Sequence, residues 1–163
     1  MIEVIHVEDD RQLEAIRQLF LEYATFLGFD LGFQGFQEEL AGLPGEYAPP
    51  EGSLLLAQSD GWPVGCVALR RIDERTCEMK RLFVRKEHRG RGLGKSLAEA
   101  IIREAHAAGY RRMRLDTVPA LAEAIGLYES LGFYEIGAYR YNPIEGASFW
   151  ELDLERTTAR EEP

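Results

Sequence analysis

The fold is set by the stretch Val84-Arg85-Lys86-Glu87-His88-Arg89-Gly90-Arg91-Gly92-Leu93-Gly94-Lys95-Ser96-Leu97. Its pattern predicts the end of a strand, then a cationic glycine loop, then the start of a helix. Residues 80–95 include seven basic residues and one acidic residue, Glu87, which gives a local formal charge of +6. The whole chain of 163 residues has a formal net charge of −9. A concentrated positive site on an acidic protein indicates a polyanionic ligand.

The glycine loop has the chemistry of a phosphate site. A helix N-terminus exposes unpaired backbone N–H groups and a partial positive charge, and glycines let a phosphate approach them. The pattern alone fits a glycine-rich turn with a solvated basic rim equally well. On the phosphate interpretation, a pyrophosphate is held by a continuous run of glycines, basic residues, a hydroxyl and the start of the helix. The run consists of Arg89, Gly90, Arg91, Gly92, Leu93, Gly94, Lys95 and Ser96.

Spacing excludes two common nucleotide motifs. A Walker P-loop requires glycine five residues before Gly94, where this chain has Arg89. A Rossmann fingerprint that starts at Gly90 requires glycine at position 95, which is lysine. The identity of the anion must therefore come from the sequence around the loop.

Composition predicts one compact domain, over residues 1–154, followed by a polar and disordered tail, 155–163. The chain is 45% hydrophobic and 29% charged, and its length suits a single core. The acidic total argues against nucleic acid as the main partner, since such proteins usually present a basic face. A small anionic ligand fits the basic cluster better.

Cysteine usage and hydropathy give three further expectations. Cys66 and Cys77 lie in apolar runs without a CxxC pair, so we expect buried reduced thiols and no metal site. The chain starts directly on an alternating pattern, with no leader-like segment and no apolar run of about 18 residues. We therefore expect a soluble cytoplasmic protein that does not bind membranes.

Hydrophobic periodicity predicts a mixed α/β sheet flanked by about four helices. Apolar residues at steps of three and four, with Asp9 as a cap, predict a helix over 10–27. A second, short helix is expected to end near Gly42. The strand, helix and strand around the loop form a parallel crossover in an otherwise antiparallel sheet. The other predicted elements are a meander of three strands over 53–84, a helix over 93–108, a strand over 112–116, a helix from Pro119 to Leu131, and strands over 133–138 and 149–154.

Two segments in the right order now resemble the GNAT superfamily of N-acetyltransferases. Arg89-x-x-Gly92-x-Gly94 resembles its Gln/Arg-x-x-Gly-x-Gly/Ala signature, and Leu127-Tyr128-Glu129-Ser130-Leu131-Gly132-Phe133 resembles its Leu-Tyr-x-x-x-Gly-Phe segment. The resemblance covers nearly the whole domain and implies the GNAT fold with acetyl-CoA as cofactor. It further implies that the loop amides hold the pyrophosphate and that the backbone of Leu82, Phe83 and Val84 pairs with the pantetheine like an added strand.

The resemblance also implies catalytic residues. Tyr128 is the implied acid for the leaving thiolate, and a phenol suits that role because its pKa of about 10 is close to that of a thiol. Glu78 occupies the position of a general-base glutamate found in some members. Because Lys80 shares its strand face, an ion pair that weakens the base is an equal alternative, and Asp116, Thr117 or a water relay remain open for this role.

One departure from the family concerns the helix that carries Tyr128. Many relatives have Asn seven residues before that tyrosine, in contact with the cofactor, whereas this chain has Leu121. The resemblance therefore does not extend cofactor contact to the start of that helix.

The expected function is transfer of an acetyl group from acetyl-CoA to a primary amine of a small molecule or peptide, directly in a ternary complex, by a monomer or a homodimer. Aromatic residues near a glycine-broken connection are either satellite core or walls of the acceptor pocket. On the second interpretation the pocket draws on Tyr23, Phe26, Phe29, Phe33, Tyr139 and Tyr141. The alternative function is a non-catalytic acyl-CoA-binding or regulatory module on the same fold.

Overall fold

The computed structural model describes residues 1–28 and 30–156, without the side chains of residues 33 and 34. Residues 157–163 of the predicted tail lie outside this description. Within the described residues, seven strands form one sheet: β1 Ile2–His6, β2 Ser53–Ser59, β3 Trp62–Arg71, β4 Thr76–Val84, β5 Arg112–Thr117, β6 Tyr134–Ile136 and β7 Ser148–Asp153. Their spatial order is β1-β2-β3-β4-β5-β7-β6.

The sheet has the predicted mixed topology. β4 and β5 pair in parallel, and the other neighbouring strands pair antiparallel. The crossover between β4 and β5 contains a helix, as the strand-helix-strand order predicted. The predicted strand 133–138 is shorter in the structure, because the edge strand β6 pairs with β7 only over Tyr134–Ile136.

Within residues 1–28 and 30–156, four α-helices flank the sheet, in agreement with the prediction. They are α1 Asp10–Leu27, α2 Phe36–Gly42, α3 Leu93–Ala107 and α4 Ala122–Ser130, and 3₁₀ turns connect several of them to their neighbours. The Asp9 side chain caps α1 by accepting from the backbone N–H of Gln12 at 2.8 Å, while Gln12 Oε1 accepts from Glu8 N–H at 2.7 Å. No helix in the described part of the chain is long and apolar enough to cross a membrane.

The two faces of the sheet carry separate hydrophobic clusters. One cluster packs α3 and α4 on the sheet and includes Met113, Leu115 and Tyr128. The other packs α1 and α2 on the opposite face. Successive side chains of a strand point to opposite faces. Met79 of β4 belongs to the first cluster, so the buried polar residues Glu78 and Lys80 lie on the α1–α2 face.

A β-bulge interrupts β4 at Arg81. Arg81 has a φ of +62°, which is uncommon for a residue other than glycine, and the register between β3 and β4 shifts opposite it. The extra residue reverses the alternation: Leu82 and Val84 now pack on the α3–α4 side, while Phe83 joins the α1–α2 cluster. The Arg81 guanidinium is held by Glu39, with N–O distances of 2.9 and 2.8 Å. The bulge turns the end of β4 toward the glycine loop.

Candidate functional site

The central feature of the site is the divergence of β4 and β5. Their parallel ladder includes only Thr76–Glu78 and Arg112–Arg114. Farther along, Leu82 on one strand and Leu115–Thr117 on the other line opposite sides of a narrow cavity, which we call the inner cavity. The end of β4 therefore presents a backbone edge that β5 does not cover in the described residues.

The glycine loop and the start of α3 continue this opening toward solvent. Gly92 precedes α3 with a φ of +79° and without a side-chain cap. The first helical bond runs from Ser96 N–H to the Gly92 carbonyl at 3.0 Å, so the N–H groups of residues 93–95 have no intrahelical acceptor. Leu93 and Gly94 line a cleft of about 760 Å³, the loop cleft, whose walls also include Val84, Gly92 and Leu127. Leu82 and Leu121 line both the loop cleft and the inner cavity.

The charged loop side chains differ in what they contact. Arg89 donates from Nε to the Val84 carbonyl at 2.8 Å, so it braces the end of β4 as well as lining the loop cleft. Arg91 and Lys95 are exposed and are not among the described residues that line the cleft. Ser96 Oγ donates a hydrogen bond to the Gly92 carbonyl at 3.1 Å. The cleft surface therefore combines the loop glycines with three of its basic residues, Lys86, His88 and Arg89.

Phe26, one of the residues predicted for the acceptor pocket, lines the loop cleft and is not among the described residues that line the inner cavity. The guanidinium carbon of Arg89 lies 4.5 Å from the centroid of the Phe26 ring, and the ring also packs near Phe83. Phe26 lies at the C-terminal end of α1, which reaches the outer side of β4, and its ring is 46% exposed. Its position supports the cleft wall through a cation–π contact.

The start of α4 lines the loop cleft, although Leu121 at this point gave no reason to expect contact with the cofactor. Ala120, Leu121 and Ala122 line the cleft, with Glu123 beside them. This part of the cleft surface is therefore mainly apolar, and Leu121 lines the inner cavity as well.

Tyr128 reaches the inner cavity from α4. Its ring packs against Phe133 with a centroid distance of 5.5 Å, and the residue is 6% exposed. Burial raises the pKa of Tyr128 above its ordinary value. The hydroxyl is therefore protonated at neutral pH and is available as a proton donor inside the cavity.

Glu78 lies at the centre of an ionic network and does not line the inner cavity. Its carboxylate accepts from Arg70 Nε at 2.7 Å and from Arg140 Nη1 at 3.2 Å, and the Tyr139 hydroxyl also donates to it. Although burial opposes ionisation, the positive charges of Lys80, Arg70 and Arg140 lower the pKa of Glu78 to about 2. A carboxylate with these partners is a poor proton acceptor, so these contacts favour the ion-pair interpretation of Glu78 over the base role.

The polar groups of the inner cavity come from β4, β5 and the loop before β7. Lys80 is buried, and burial together with the nearby charge of Arg81 lowers its pKa to about 7. Asp116 accepts from Asn142 Nδ2 at 3.0 Å, and Asn142 Oδ1 accepts from Ile144 N–H. The sequence pointed to Lys80 only as an ion-pair partner of Glu78, and to Asn142 only as part of the loop over residues 139–146 that was expected at the acceptor pocket. The contact between Asn142 and Asp116 was not predictable, because nothing in the local spacing shows that this loop folds over β5.

The aromatic residues predicted for the acceptor pocket lie in several places. Tyr23 lines the inner cavity, where burial raises the pKa of its hydroxyl. Tyr139 instead directs its hydroxyl to Glu78, and Tyr141 is 73% exposed and is not among the described lining residues. Phe29 and the side chain of Phe33 lie outside the described residues.

The two cysteines are buried free thiols, as predicted. Burial raises the pKa of both Cys66 and Cys77. A thiol reacts as the thiolate, so neither side chain is a competent nucleophile at neutral pH. This finding agrees with chemistry that proceeds without a covalent enzyme intermediate.

Comparisons with known proteins agree with this geometry. Residues 13–133 match the model of the Acetyltransferase (GNAT) family. An uncharacterised N-acetyltransferase of Schizosaccharomyces pombe is 38% identical over 157 residues, which cover 95% of this chain and 96% of that protein. A similar protein of Dictyostelium discoideum, also named an uncharacterised N-acetyltransferase, is 32% identical over 91% of this chain and 97% of its own length.

Solved structures show the same fold at lower sequence identity. A GNAT acetyltransferase of Staphylococcus aureus superposes with a TM-score of 0.79 at 22% identity and covers 94% of this chain and 99% of its own. The acetyltransferase yncA of Salmonella typhimurium, solved with acetyl-CoA, gives a TM-score of 0.66 at 21% identity and covers 94% of each chain. The matched family model and the relatives that span nearly the whole chain show that this protein belongs to the GNAT family of acetyltransferases.

Proposed function

We propose that the protein transfers an acetyl group from acetyl-CoA to a primary amine, directly in a ternary complex. The observation that carries the proposal is the divergence of β4 and β5, with the free start of α3 at its outer end and Tyr128 at its inner end. This arrangement joins a phosphate site, an uncovered strand edge and a buried proton donor in one continuous opening. The acetyl-CoA in the structure of the Salmonella relative supports the choice of donor.

The loop cleft fits an extended donor with an anionic group. The unpaired N–H groups of residues 93–95 and the positive end of α3 favour a pyrophosphate. The backbone of Leu82–Val84 offers the hydrogen-bonding edge that an amide-containing pantetheine arm requires. Leu121 and Leu127 supply an apolar wall opposite that edge.

The residues of the inner cavity divide the chemical work. When bound, acetyl-CoA would supply an acetyl thioester; the C–N bond to a neutral amine forms at the carbonyl carbon as the C–S bond breaks. We assign to Tyr128 the donation of a proton to the leaving sulfur, and the proton that the new amide nitrogen loses restores the phenol. Asp116, which Asn142 holds in place, is the carboxylate that lines this cavity, and we propose that it binds the acceptor ammonium and takes its proton. Glu78 keeps the structural role that its three partners give it.

The phosphate site is tested by Gly94→Glu. A Cβ at Gly94 meets protein atoms only at 3.9 Å or beyond, so the fold has room for a side chain, whose carboxylate then stands at the wall of the loop cleft. We expect the Kd for CoA to rise about ten-fold or more, since the carboxylate repels the pyrophosphate at the helix N-terminus. Isothermal titration calorimetry with CoA measures this change.

Gly126→Glu is the matched control for the phosphate site. Gly126 lies within α4, and a Cβ there meets no described atom within 4 Å. Glutamate should stabilise the helix by less than about 1 kcal/mol and leave CoA affinity unchanged. Equal CoA affinity of Gly94→Glu and the wild type would contradict the proposed position of the pyrophosphate.

Transfer itself is tested by following thiol release from acetyl-CoA with a panel of amines. Polyamines, amino acids, aminoglycosides and amine-terminated peptides cover the main acceptor charges and sizes. The proposal expects amine-dependent thiol release and a product 42 Da heavier than one of these amines. Binding of CoA without amine-dependent release from any of them would favour the non-catalytic binding module.

A further inference from the structure

Thr117 carries a buried hydroxyl that has no hydrogen-bond partner in the described structure. It is the last residue of β5 and is 4% exposed. Its Oγ1 atom is fully buried and makes no hydrogen bond to any group in residues 1–28 and 30–156. A buried hydroxyl without a partner costs about 1–3 kcal/mol, and such a group in a native fold calls for an explanation. Because Thr117 lines the inner cavity, a bound ligand can supply the missing partner.

The direction of the Thr117 side chain follows from the alternation of β5. Met113 and Leu115 pack in the cluster with α3 and Tyr128, and residue 117 is the next position on that face. The register of β5 with β7 runs without a shift from Arg112 to Thr117, so this alternation holds to the end of the strand. The Thr117 hydroxyl therefore lies on the same side of the sheet as Tyr128 and the loop cleft.

Asp116 lies on the other face of the same strand. It shares that face with Arg114, which pairs with Glu151, and it is held by Asn142 from the loop before β7. Asp116 and Thr117 are neighbours in sequence and point to opposite faces of the sheet. Asp116 faces the side on which we place the acceptor, and Thr117 faces the side on which the donor enters.

We propose that the Thr117 hydroxyl donates a hydrogen bond to the carbonyl oxygen of the acetyl thioester. This inference rests on the proposed function, because it places the reacting end of acetyl-CoA at the inner cavity. A hydroxyl is the appropriate group there. It is neutral, so it places no additional charge beside the leaving thiolate, and its O–H bond can rotate toward the carbonyl oxygen. Negative charge grows on that oxygen during attack, so the bond strengthens as the reaction proceeds.

Thr117→Val tests the proposal with little change of shape. Valine replaces the hydroxyl by a methyl group of similar size, and no described protein hydrogen bond is lost. We expect the Kd for acetyl-CoA to rise about five-fold and the Kd for free CoA, which has no acetyl carbonyl, to stay within two-fold. Thr117→Ser restores the hydroxyl and should restore the affinity. Calorimetry with each ligand gives both constants without depending on turnover.

Further measurements separate this role from a structural one. The melting temperature of ligand-free Thr117→Val should equal or exceed that of the wild type, since an unsatisfied buried hydroxyl is removed. With an amine that is turned over, kcat should fall about ten-fold or more while the KM for the amine is unchanged.

Four results would overturn the assignment. They are unchanged acetyl-CoA affinity in Thr117→Val, an equal loss of CoA and acetyl-CoA affinity, a fall of several degrees in the melting temperature, and a rise confined to the KM of the amine. Failure of the proposed function looks different, because wild-type protein would then bind acetyl-CoA and transfer to no amine. The comparison of acetyl-CoA with CoA still decides the role of Thr117 in that case.

Discussion

Tyr128→Phe is expected to lower kcat about 100-fold and to leave the affinity for CoA unchanged. A positioned general acid contributes on the order of 10²–10⁴-fold to rate, and phenylalanine removes only the proton donor. The ring that packs against Phe133 remains, so the apolar contact of α4 with the sheet is kept. Steady-state kinetics with saturating amine gives kcat, and calorimetry gives the Kd for CoA.

Tyr110→Phe is the matched control. The Tyr110 hydroxyl donates to the Glu51 carbonyl at 2.7 Å, and this residue lines neither the inner cavity nor the loop cleft in the described structure. Its loss should cost about 1 kcal/mol of stability and leave kcat unchanged. If kcat of Tyr128→Phe stayed within two-fold of the wild type, the assignment of Tyr128 as the acid would be wrong.

Glu78→Gln is expected to destabilise the fold by about 3 kcal/mol or more. Glu78 is 0% exposed and balances Arg70 and Arg140, which are 24% and 20% exposed. Removal of one member of a buried ionic network leaves charges without compensation and typically costs about 3–5 kcal/mol. Urea unfolding at neutral pH measures the change in the free energy of unfolding.

The pH dependence of stability identifies the same carboxylate. The pKa of Glu78 is lowered from 4.5 to about 2 in the folded state, so the unfolded state binds its proton first. The stabilising contribution is therefore complete above about pH 5 and is lost as pH falls toward 2. We expect the stability difference between wild type and Glu78→Gln to be largest near pH 6 and to shrink steadily below pH 4.5.

Glu14→Gln provides the comparison for a surface ion pair. Glu14 is 55% exposed and pairs with Arg17 one turn away on α1. Its loss should change stability by less than about 1 kcal/mol. If Glu78→Gln lost activity while its stability matched the wild type, the earlier interpretation of Glu78 as a base would be restored.

Much of the fold follows from local sequence patterns. The steps of three and four in α1, the Asp9 cap and the glycines around α3 act over a few residues, and each produced the predicted element. The parallel crossover follows from the order of elements alone. The glycine loop and the start of α3, where we propose that the pyrophosphate binds, were predictable as local structure because the two are contiguous in sequence.

The rest of the site depends on contacts between distant segments. The partners of Glu78 come from β3 and from residues 139 and 140, so its sequence neighbour Lys80 revealed only part of its environment. The bulge at Arg81 has no glycine at the position of positive φ, so the sequence contains no signal for it. It nevertheless determines which face of the sheet each later residue of β4 occupies. The contact of Phe26 with Arg89 was not predictable, because helix periodicity gives its face on α1 but not the element that the end of α1 meets.

The central claim is that the opening between β4 and β5 brings an acetyl thioester to an amine. The most direct measurement is thiol release from acetyl-CoA by wild-type protein, with and without each amine of the panel, together with the product mass. We expect thiol release that depends on a primary amine, and a product 42 Da heavier than that amine. CoA bound in the loop cleft, with no amine-dependent release across the whole panel, would contradict it.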